Sequence, residues 1–517
     1  MSPRCAATVT YQRRQPEHTV LYRTIEAHLP TFLAQTAGEA ERSGLPAFVK
    51  REFEAYLRCG ILAHGFTRLR CATCASEHLL PFSCKRRGFC PSCGGRRMAE
   101  RAAFLVDQVR PRVPVRQWVL TLPYRLRYRL AWDHPLCRAV LGAYARALLA
   151  FYARAARAHG IRDGQTGTVT VIQRFGSGLQ LNLHYHTLVL DGVFSEAQPG
   201  HLTFHPAPPP SDEDVAQVLA PVRTRVGRLL TRRQLASGDD HAPPDPLSET
   251  SPVLAGIVSA SVQGRVALGP RAGARVRRLG DEPDLGHVTS RGPRQAQLEG
   301  FDLHANVWVP PHDRARLEQL GRYLLRPPLA QDRVRFRADG RILVELKSVW
   351  RDGTSHLLFD PIEFLEKLAA IIPRPAVNLL FYHGVLAPHA RTRSQVVRYG
   401  RPAPDPTAHE VDDSPRGATG PRRPWTWAAL LRRVFALDVL ACPRCGGRLR
   451  VIAIVQNPAV VRALLAHGGR ALSPEAPGPA PPAPAAIGST RRSASPPRRP
   501  ARRGPTGPRH RTPPPAP

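Results

Sequence analysis

The sequence has almost no lysine. Lys50, Lys85, Lys347 and Lys367 are the only four among 74 basic residues, so arginine carries the positive charge. Arginine in place of lysine, with abundant Ala, Pro and Gly, is what a GC-rich genome produces, but such a bias does not set a net charge. Acidic residues are also scarce, 40 against 74, which leaves +34. An excess of that size points to a polyanionic partner, most simply nucleic acid. Any run of about 18 apolar residues is missing, which argues against a membrane span. So is the apolar N-terminal core of a signal peptide. A cytoplasmic protein is expected. Nor are the ten cysteines spread like a disulfide framework. Six fall between Cys59 and Cys93, and two form Cys442-Pro-Arg-Cys445. Clustered CxxC pairs in a long intracellular chain favour metal.

The hydrophobic content of 42% suffices for globular cores, and 517 residues predict two to four domains. Residues 1–98 read as a helical segment followed by a zinc-binding domain. Residues 99–400 read as an α+β domain with an insertion at about 205–252, in which Ser211 caps a helix running to about Leu235. A linker at 401–424, a small helical segment with the last CxxC at 425–470, and a Pro/Arg tail at 471–517 follow. The tail has too few large apolar residues to fold and is expected to be disordered. Gln117–Leu122 reads as a strand and Cys137–Arg157 as an amphipathic helix. Val169–Phe175 and Leu179–Leu190 read as a hairpin about Gly176-Ser-Gly178. Phe301–Val309 reads as a strand, and Asp313–Arg326 as a helix that stops before Pro327-Pro328. A short meander over 334–359 and a helix opened by Pro361 complete the domain. The glycine-punctuated, basic stretch 255–300 yields no assignment.

Cys71-Ala-Thr-Cys74 and Cys90-Pro-Ser-Cys93 make C-x2-C-x15-C-x2-C, a zinc-ribbon spacing. Cys71, Cys74, Cys90 and Cys93 are therefore expected to enclose one structural Zn2+. Cys59 and Cys84 are extra thiols, buried or replacing a ligand. Cys442 and Cys445 are half a site, completed from elsewhere in the chain, by a second subunit, or not metallated. Lys85, Arg86 and Arg87 in the intervening loop suit phosphate contact.

His184-Tyr185-His186 lies within Leu179–Leu190. Strand side chains alternate between faces. Leu179, Leu181, Leu183 and Tyr185 therefore share one face, while Gln180, Asn182, His184 and His186 share the other. Two adjacent imidazoles with oxygen ligands could hold Mg2+ or Mn2+. A third ligand could be Gln173, Gln180, Asn182 or Gln319, and a one-residue slip in the hairpin would move Gln173 to the wrong face. On the helix 313–326, Leu317, Leu320 and Leu324 form the apolar stripe. Arg316, Gln319, Tyr323 and Arg326 line a more polar face that suits a phosphate site, so Tyr323 is a candidate nucleophile, although its spacing alone favours a half-buried packing tyrosine; Tyr382 and Tyr399 are alternatives. Arg316, Arg322 and Arg326 are candidate DNA contacts.

These residues carry a family likeness. The chain resembles the rolling-circle HUH transposases of the insertion-sequence 91 type over most of residues 45–400. The likeness rests on Phe82-Ser-Cys-Lys-Arg-Arg-Gly-Phe-Cys-Pro-Ser-Cys93, Gln117-Trp-Val-Leu-Thr-Leu-Pro123, Ile172-Gln-Arg-Phe-Gly176 and Asn182-Leu-His-Tyr-His186. It continues through Leu190-Asp-Gly-Val193, Leu303-His-Ala305 and Arg322-Tyr-Leu-Leu-Arg-Pro-Pro328. It implies a zinc-binding domain ahead of an HUH endonuclease domain with a central antiparallel sheet flanked by helices. It also implies His184 and His186 as metal ligands and Tyr323 as the nucleophile. A second tyrosine one turn later, found in two-tyrosine members, is replaced by Pro327, so the chain looks like the single-tyrosine branch. The implied activity is a metal-dependent nick and transfer of single-stranded DNA through a 5′-phosphotyrosine. The implied partners are the element's ends and target DNA, at the bacterial nucleoid and with no membrane; a homo-oligomer stays open. A plasmid relaxase or replication initiator would use the same chemistry, and a non-catalytic zinc-ribbon DNA-binding protein is the rival from another class.

Overall fold

The computed structural model describes residues 13–37, 44–198, 200–235, 245–280, 292–350, 352–401, 426–435 and 437–468. The expected linker, apart from residue 401, and the expected tail lie outside these. A compact unit runs to Leu465; of the second unit, Ala466–Pro517, only residues 466–468 are described.

The strands in chain order are β1 (Phe66–Cys71), β2 (Glu77–Pro81), β3 (Val115–Thr121), β4 (Gly167–Phe175), β5 (Leu181–Leu190), β6 (Gly192–Gln198), β7 (His201–Pro206) and β8 (Arg277–Gly280). Then come β9 (Gln295–Leu298), β10 (Phe301–Val309), β11 (Val334–Phe336), β12 (Ile342–Glu345), β13 (Thr354–Phe359), β14 (Leu380–Gly384) and β15 (Leu449–Val455). The helices are α1 (Val20–Gln35), α2 (Ala47–Leu57), α3 (Pro91–Phe104), α4 (Tyr124–Trp132), α5 (His134–Ala158), α6 (Asp212–Arg232) and α7 (Pro246–Thr250). They continue with α8 (Pro252–Val262), α9 (Arg314–Leu325), α10 (Pro361–Ile371), α11 (Arg393–Arg398), α12 (Trp427–Phe435) and α13 (Pro458–Gly468).

The fold is α+β, built on an antiparallel six-stranded sheet of order β14-β4-β5-β3-β10-β9. Period-two alternation splits its side chains between two cores. Trp118, Leu120, Ile172, Leu181, Leu183, Tyr185 and Leu303 face the larger core, beneath α5 and α6. Val115, Val171, Leu188 and Val309 face Leu317, Leu320 and Leu324 of α9. The apolar stripe of α9 thus sits where its spacing predicts. β5 pairs on both sides, with β4 and β3, and the histidine pair rides on it.

Several segments differ from the sequence reading. Residues 205–252, expected as an insertion, carry the expected helix as α6, but its Val215, Val218, Leu219, Val222 and Val226 are buried in the main core. Ser211 caps it with a capping box to Asp214. The unassigned stretch contributes α8, β8 and β9. The segment 425–470 is not purely helical, since β15 pairs with β1 in a sheet of order β15-β1-β2. The hairpin loop is longer than Gly176–Gly178: Leu179 takes φ 62° within the turn and β5 starts at Leu181. Finally, α5 is long and apolar enough to cross a bilayer, but Leu136, Val140, Tyr144, Leu148 and Tyr152 are buried against the sheet.

Candidate active site and cysteine clusters

His184 and His186 project from the α9 side of β5, where the alternation puts them, and their Nε2 atoms are 3.0 Å apart. Each ring is fixed from behind. His184 Nδ1 donates to the Asn182 carbonyl at 2.8 Å, which leaves its Nε2 lone pair pointing at His186. His186 Nδ1 lies 2.8 Å from Gln117 Nε2 on β3. The Gln117 amide can meet that nitrogen with either end, so its orientation selects the His186 tautomer. Burial pushes His184 down to about 4, assisted by Arg326, Arg127 and His304. Burial and the neighbouring His184 hold His186 well below the usual imidazole range. Both rings are thus neutral at neutral pH, the state a metal ligand needs.

α9 brings Tyr323 to this pair. The Tyr323 ring stands edge-on to His186 with centroids 6.1 Å apart and planes at 86°. Two cations flank it: the Arg326 guanidinium is 4.2 Å and the Lys347 ammonium 4.3 Å from the ring centroid. Arg326 also donates to the Tyr323 carbonyl at 2.8 Å, which fixes the end of the helix. Lys347 was not foreseen, because it lies in the loop after β12 and reaches the site only through the tertiary fold.

The proposed third ligands separate. Gln173 pairs in register with His184, so it shares its face, and its Nε2 donates to the Leu324 carbonyl at 3.2 Å, tying β4 to the tyrosine helix. Asn182 Oδ1 is buried with no hydrogen-bond partner. Gln180 is turned away, accepting from Gly178 N at 3.0 Å. Gln319 and Arg316 are exposed on α9. Arg322 is taken up by Glu318 at 2.8 Å. Tyr382 packs half-buried in a separate core, and Tyr399 lies against Phe194 at 5.0 Å. Sequence reading also missed His304. β10 pairs it with Val119, which pairs with His186, so it lies in the same row of the sheet. The alternation in Leu303-His-Ala305 would have revealed it.

A cavity of about 390 Å3 opens beside Gln173 and Arg326. Arg87, Arg97, Arg101 and Arg174 also line it. Lys85, Arg86 and Arg87 are exposed. Arg87 braces the loop before β14 through the Val377 and Arg374 carbonyls at 2.8 and 3.3 Å.

The cysteines correct the single-ribbon expectation: they form two clusters. Cys90 and Cys93 join Cys59 and Cys84, with Sγ–Sγ separations of 3.7 Å (Cys59–Cys90), 3.7 Å (Cys59–Cys93) and 3.4 Å (Cys84–Cys93). Cys71 and Cys74 instead meet Cys442 and Cys445. The reason is β2, which follows Cys74 and runs back along β1, so the fifteen intervening residues carry Cys90 and Cys93 away to the start of α3. The separations are far beyond a disulfide and near the roughly 3.8 Å edge of a tetrahedron of sulfurs about 2.3 Å from zinc. From the first cluster α3 runs against α9. A Cβ on Gly94 would lie 2.8 Å from Pro327 Cβ, so only glycine permits that approach.

Two family models match the chain. Residues 24–122 match a family model described as "Transposase zinc-binding domain", and residues 167–394 match one described as "Putative transposase". Cys59, Cys84, Cys90 and Cys93 lie within the first span, and structural Zn2+ follows from that match together with the clustered thiols. His184, His186 and Tyr323 lie within the second. No curated protein and no solved structure matches the chain.

Proposed function

This chain belongs to the transposases of the insertion-sequence 91 type, and we propose that it carries an HUH endonuclease site that cuts and rejoins single-stranded DNA through Tyr323. The reading is carried by one observation: Tyr323 lies against the His184–His186 pair, flanked by Arg326 and Lys347.

In the proposed reaction the Tyr323 hydroxyl attacks a backbone phosphorus. The tyrosyl O–P bond forms and the P–O3′ bond breaks. The phenol gives up its proton, the departing 3′-oxygen takes one up, and the 5′-phosphate stays on the protein. Arg326 and Lys347, already placed on the ring, favour the developing phenolate and the phosphate charge beside it. Strand transfer reverses these bonds: a 3′-hydroxyl attacks the phosphotyrosine and Tyr323 is released. With Pro327 packed on Gly94 in place of a second tyrosine, one phenol serves both steps.

His184 and His186 would hold Mg2+ or Mn2+. Their Nε2 separation of 3.0 Å fits two ligands about 2.1 Å from an ion and about 90° apart, as an octahedral ion requires. The unpartnered Asn182 Oδ1 is an oxygen donor of the right class. When bound, the ion supplies polarisation of the scissile phosphate and offsets transition-state charge. Gln117 and the Asn182 carbonyl hold the two rings in place.

DNA is the substrate expected of a transposase, and the arginine-lined cavity beside Gln173 and Arg326 suits a strand with its phosphates exposed. Lys85, Arg86 and Arg87 would extend that track, at the nucleoid. The test is incubation with labelled single-stranded DNA from the element's ends and Mn2+. A covalent adduct that is absent with Tyr323→Phe supports the reading. An adduct that persists in Tyr323→Phe contradicts it.

A further inference from the structure

The chemistry above makes no use of the second cysteine cluster, and half of it lies beyond both matched spans. Cys71 and Cys74 sit at the turn between β1 and β2. Cys442 and Cys445 sit just ahead of β15, 368 and 374 residues from their nearest sulfur partners. The two halves are built alike. In each, the residue after the CxxC adopts a positive φ, 58° at Ala75 and 73° at Gly446. In each, that residue donates back to the first cysteine's carbonyl, Ala75 to Cys71 at 3.2 Å and Gly446 to Cys442 at 2.9 Å. These are two metal-binding knuckles face to face.

The sulfurs interleave. Cys71 Sγ is 3.5 Å from Cys445 Sγ, and Cys74 Sγ is 3.7 Å from Cys442 Sγ. Each knuckle therefore contributes one sulfur to each of these two edges of a small tetrahedron. Polar groups turn toward the sulfurs as they do around thiolates: Thr73 N is 3.4 Å from Cys71 Sγ, and Ser76 Oγ is 3.4 Å from Cys442 Sγ. A Cβ on Gly447 would fall 2.4 Å from Thr73 Oγ1 and 3.1 Å from Cys71 Sγ, so the knuckles can approach only with glycine there.

The cluster also holds the rest of the segment in place. β15 runs along β1 from Cys71↔Leu449 to Phe66↔Val455. Upstream, Arg433 of α12 binds Glu318 of the tyrosine helix at 2.7 Å and also pairs with Asp107.

We propose that Cys71, Cys74, Cys442 and Cys445 bind a second structural zinc ion, closing a zinc ribbon split across the chain and locking residues 437–465 onto the β1–β2 hairpin. The segment beyond the transposase match is then an integral brace of the zinc-binding region.

Native mass spectrometry of the full chain tests this without DNA, so its outcome is independent of the proposed cleavage. Two zinc ions per wild-type chain are expected, and one in Cys442→Ser/Cys445→Ser. In that variant the amides of residues 449–455 should exchange with solvent faster, while those of 181–190 should not. One zinc per wild-type chain, or two retained in the double variant, overturns the proposal. If the double variant does not fold, zinc X-ray absorption on the wild type decides. Two ions, each with four sulfurs at about 2.3 Å, support the site, and one ion or a nitrogen-containing average shell rejects it.

Discussion

The ring of Tyr323 meets the ring of His186 edge-on at 6.1 Å, although one belongs to a helix and the other to a strand far earlier in the chain. Two local patterns produce the contact. Alternation on β5 turns both imidazoles to the α9 side, and the leucine stripe of α9 presses that helix onto the same side. Gln173 joins them, since it pairs with His184 and donates to Leu324.

Gln117 should control metal affinity without being a ligand. It fixes the His186 ring through Nδ1, and loss of such a partner typically weakens binding by about 10–100-fold. Gln117→Leu is expected to lower Mn2+ affinity by that amount in an EPR titration, with an unchanged far-ultraviolet circular dichroism spectrum. Unchanged affinity would show that the contact is incidental.

Metal binding should also tolerate mild acid. Both histidines are shifted downward by burial, His184 to about 4. For a lowered pKa the neutral form persists as pH falls, and protons compete with the metal only near the folded value. Mn2+ affinity should therefore change by less than about twofold between pH 7.5 and 6.0. Two ordinary histidines of pKa about 6.5 would lose roughly tenfold over that range, so a loss of that size in the same titration would argue against the buried arrangement.

Much of this site was legible in the sequence, and the reasons are local. The HxH face and the α9 stripe follow from periods of two and 3.6, whereas the partner of His184 depends on the hairpin register, which the turn sets. What was illegible depends on long-range contact. The C-x2-C-x15-C-x2-C spacing suggested one zinc ribbon, yet β2 folds back, so Cys90 and Cys93 join Cys59 and the nearby Cys84 while Cys71 and Cys74 go to Cys442 and Cys445. Cys442 and Cys445 cannot be matched to Cys71 and Cys74 by spacing. Lys347 belongs to a loop, and Gln117 becomes a partner of His186 only through the β3–β5 register.

Gly94 should transmit the zinc-binding region's position to the tyrosine helix. An added methyl would press on Pro327, and overpacking of that kind costs about 1–3 kcal/mol. Gly94→Ala is expected to retain zinc but to lower both the melting temperature and the yield of DNA adduct. Wild-type values for both would show that the two helices are not tightly coupled.

Asp191 should matter for stability alone. It is buried and accepts from Arg116 at 2.8 Å and from Tyr152 at 2.8 Å. Removing one partner leaves a buried guanidinium uncompensated, typically about 3–5 kcal/mol. Asp191→Ala should show that loss in chemical denaturation, and a loss below about 1 kcal/mol would contradict the assignment.

The most direct measurement is mass spectrometry of the peptide that carries DNA after cleavage of a single-stranded element end in Mn2+. A nucleotide joined through its 5′-phosphate to Tyr323 is expected, and no modified peptide from His184→Ala/His186→Ala. A nucleotide on Tyr382, Tyr399 or any other side chain, or cleavage with no covalent peptide, would contradict it.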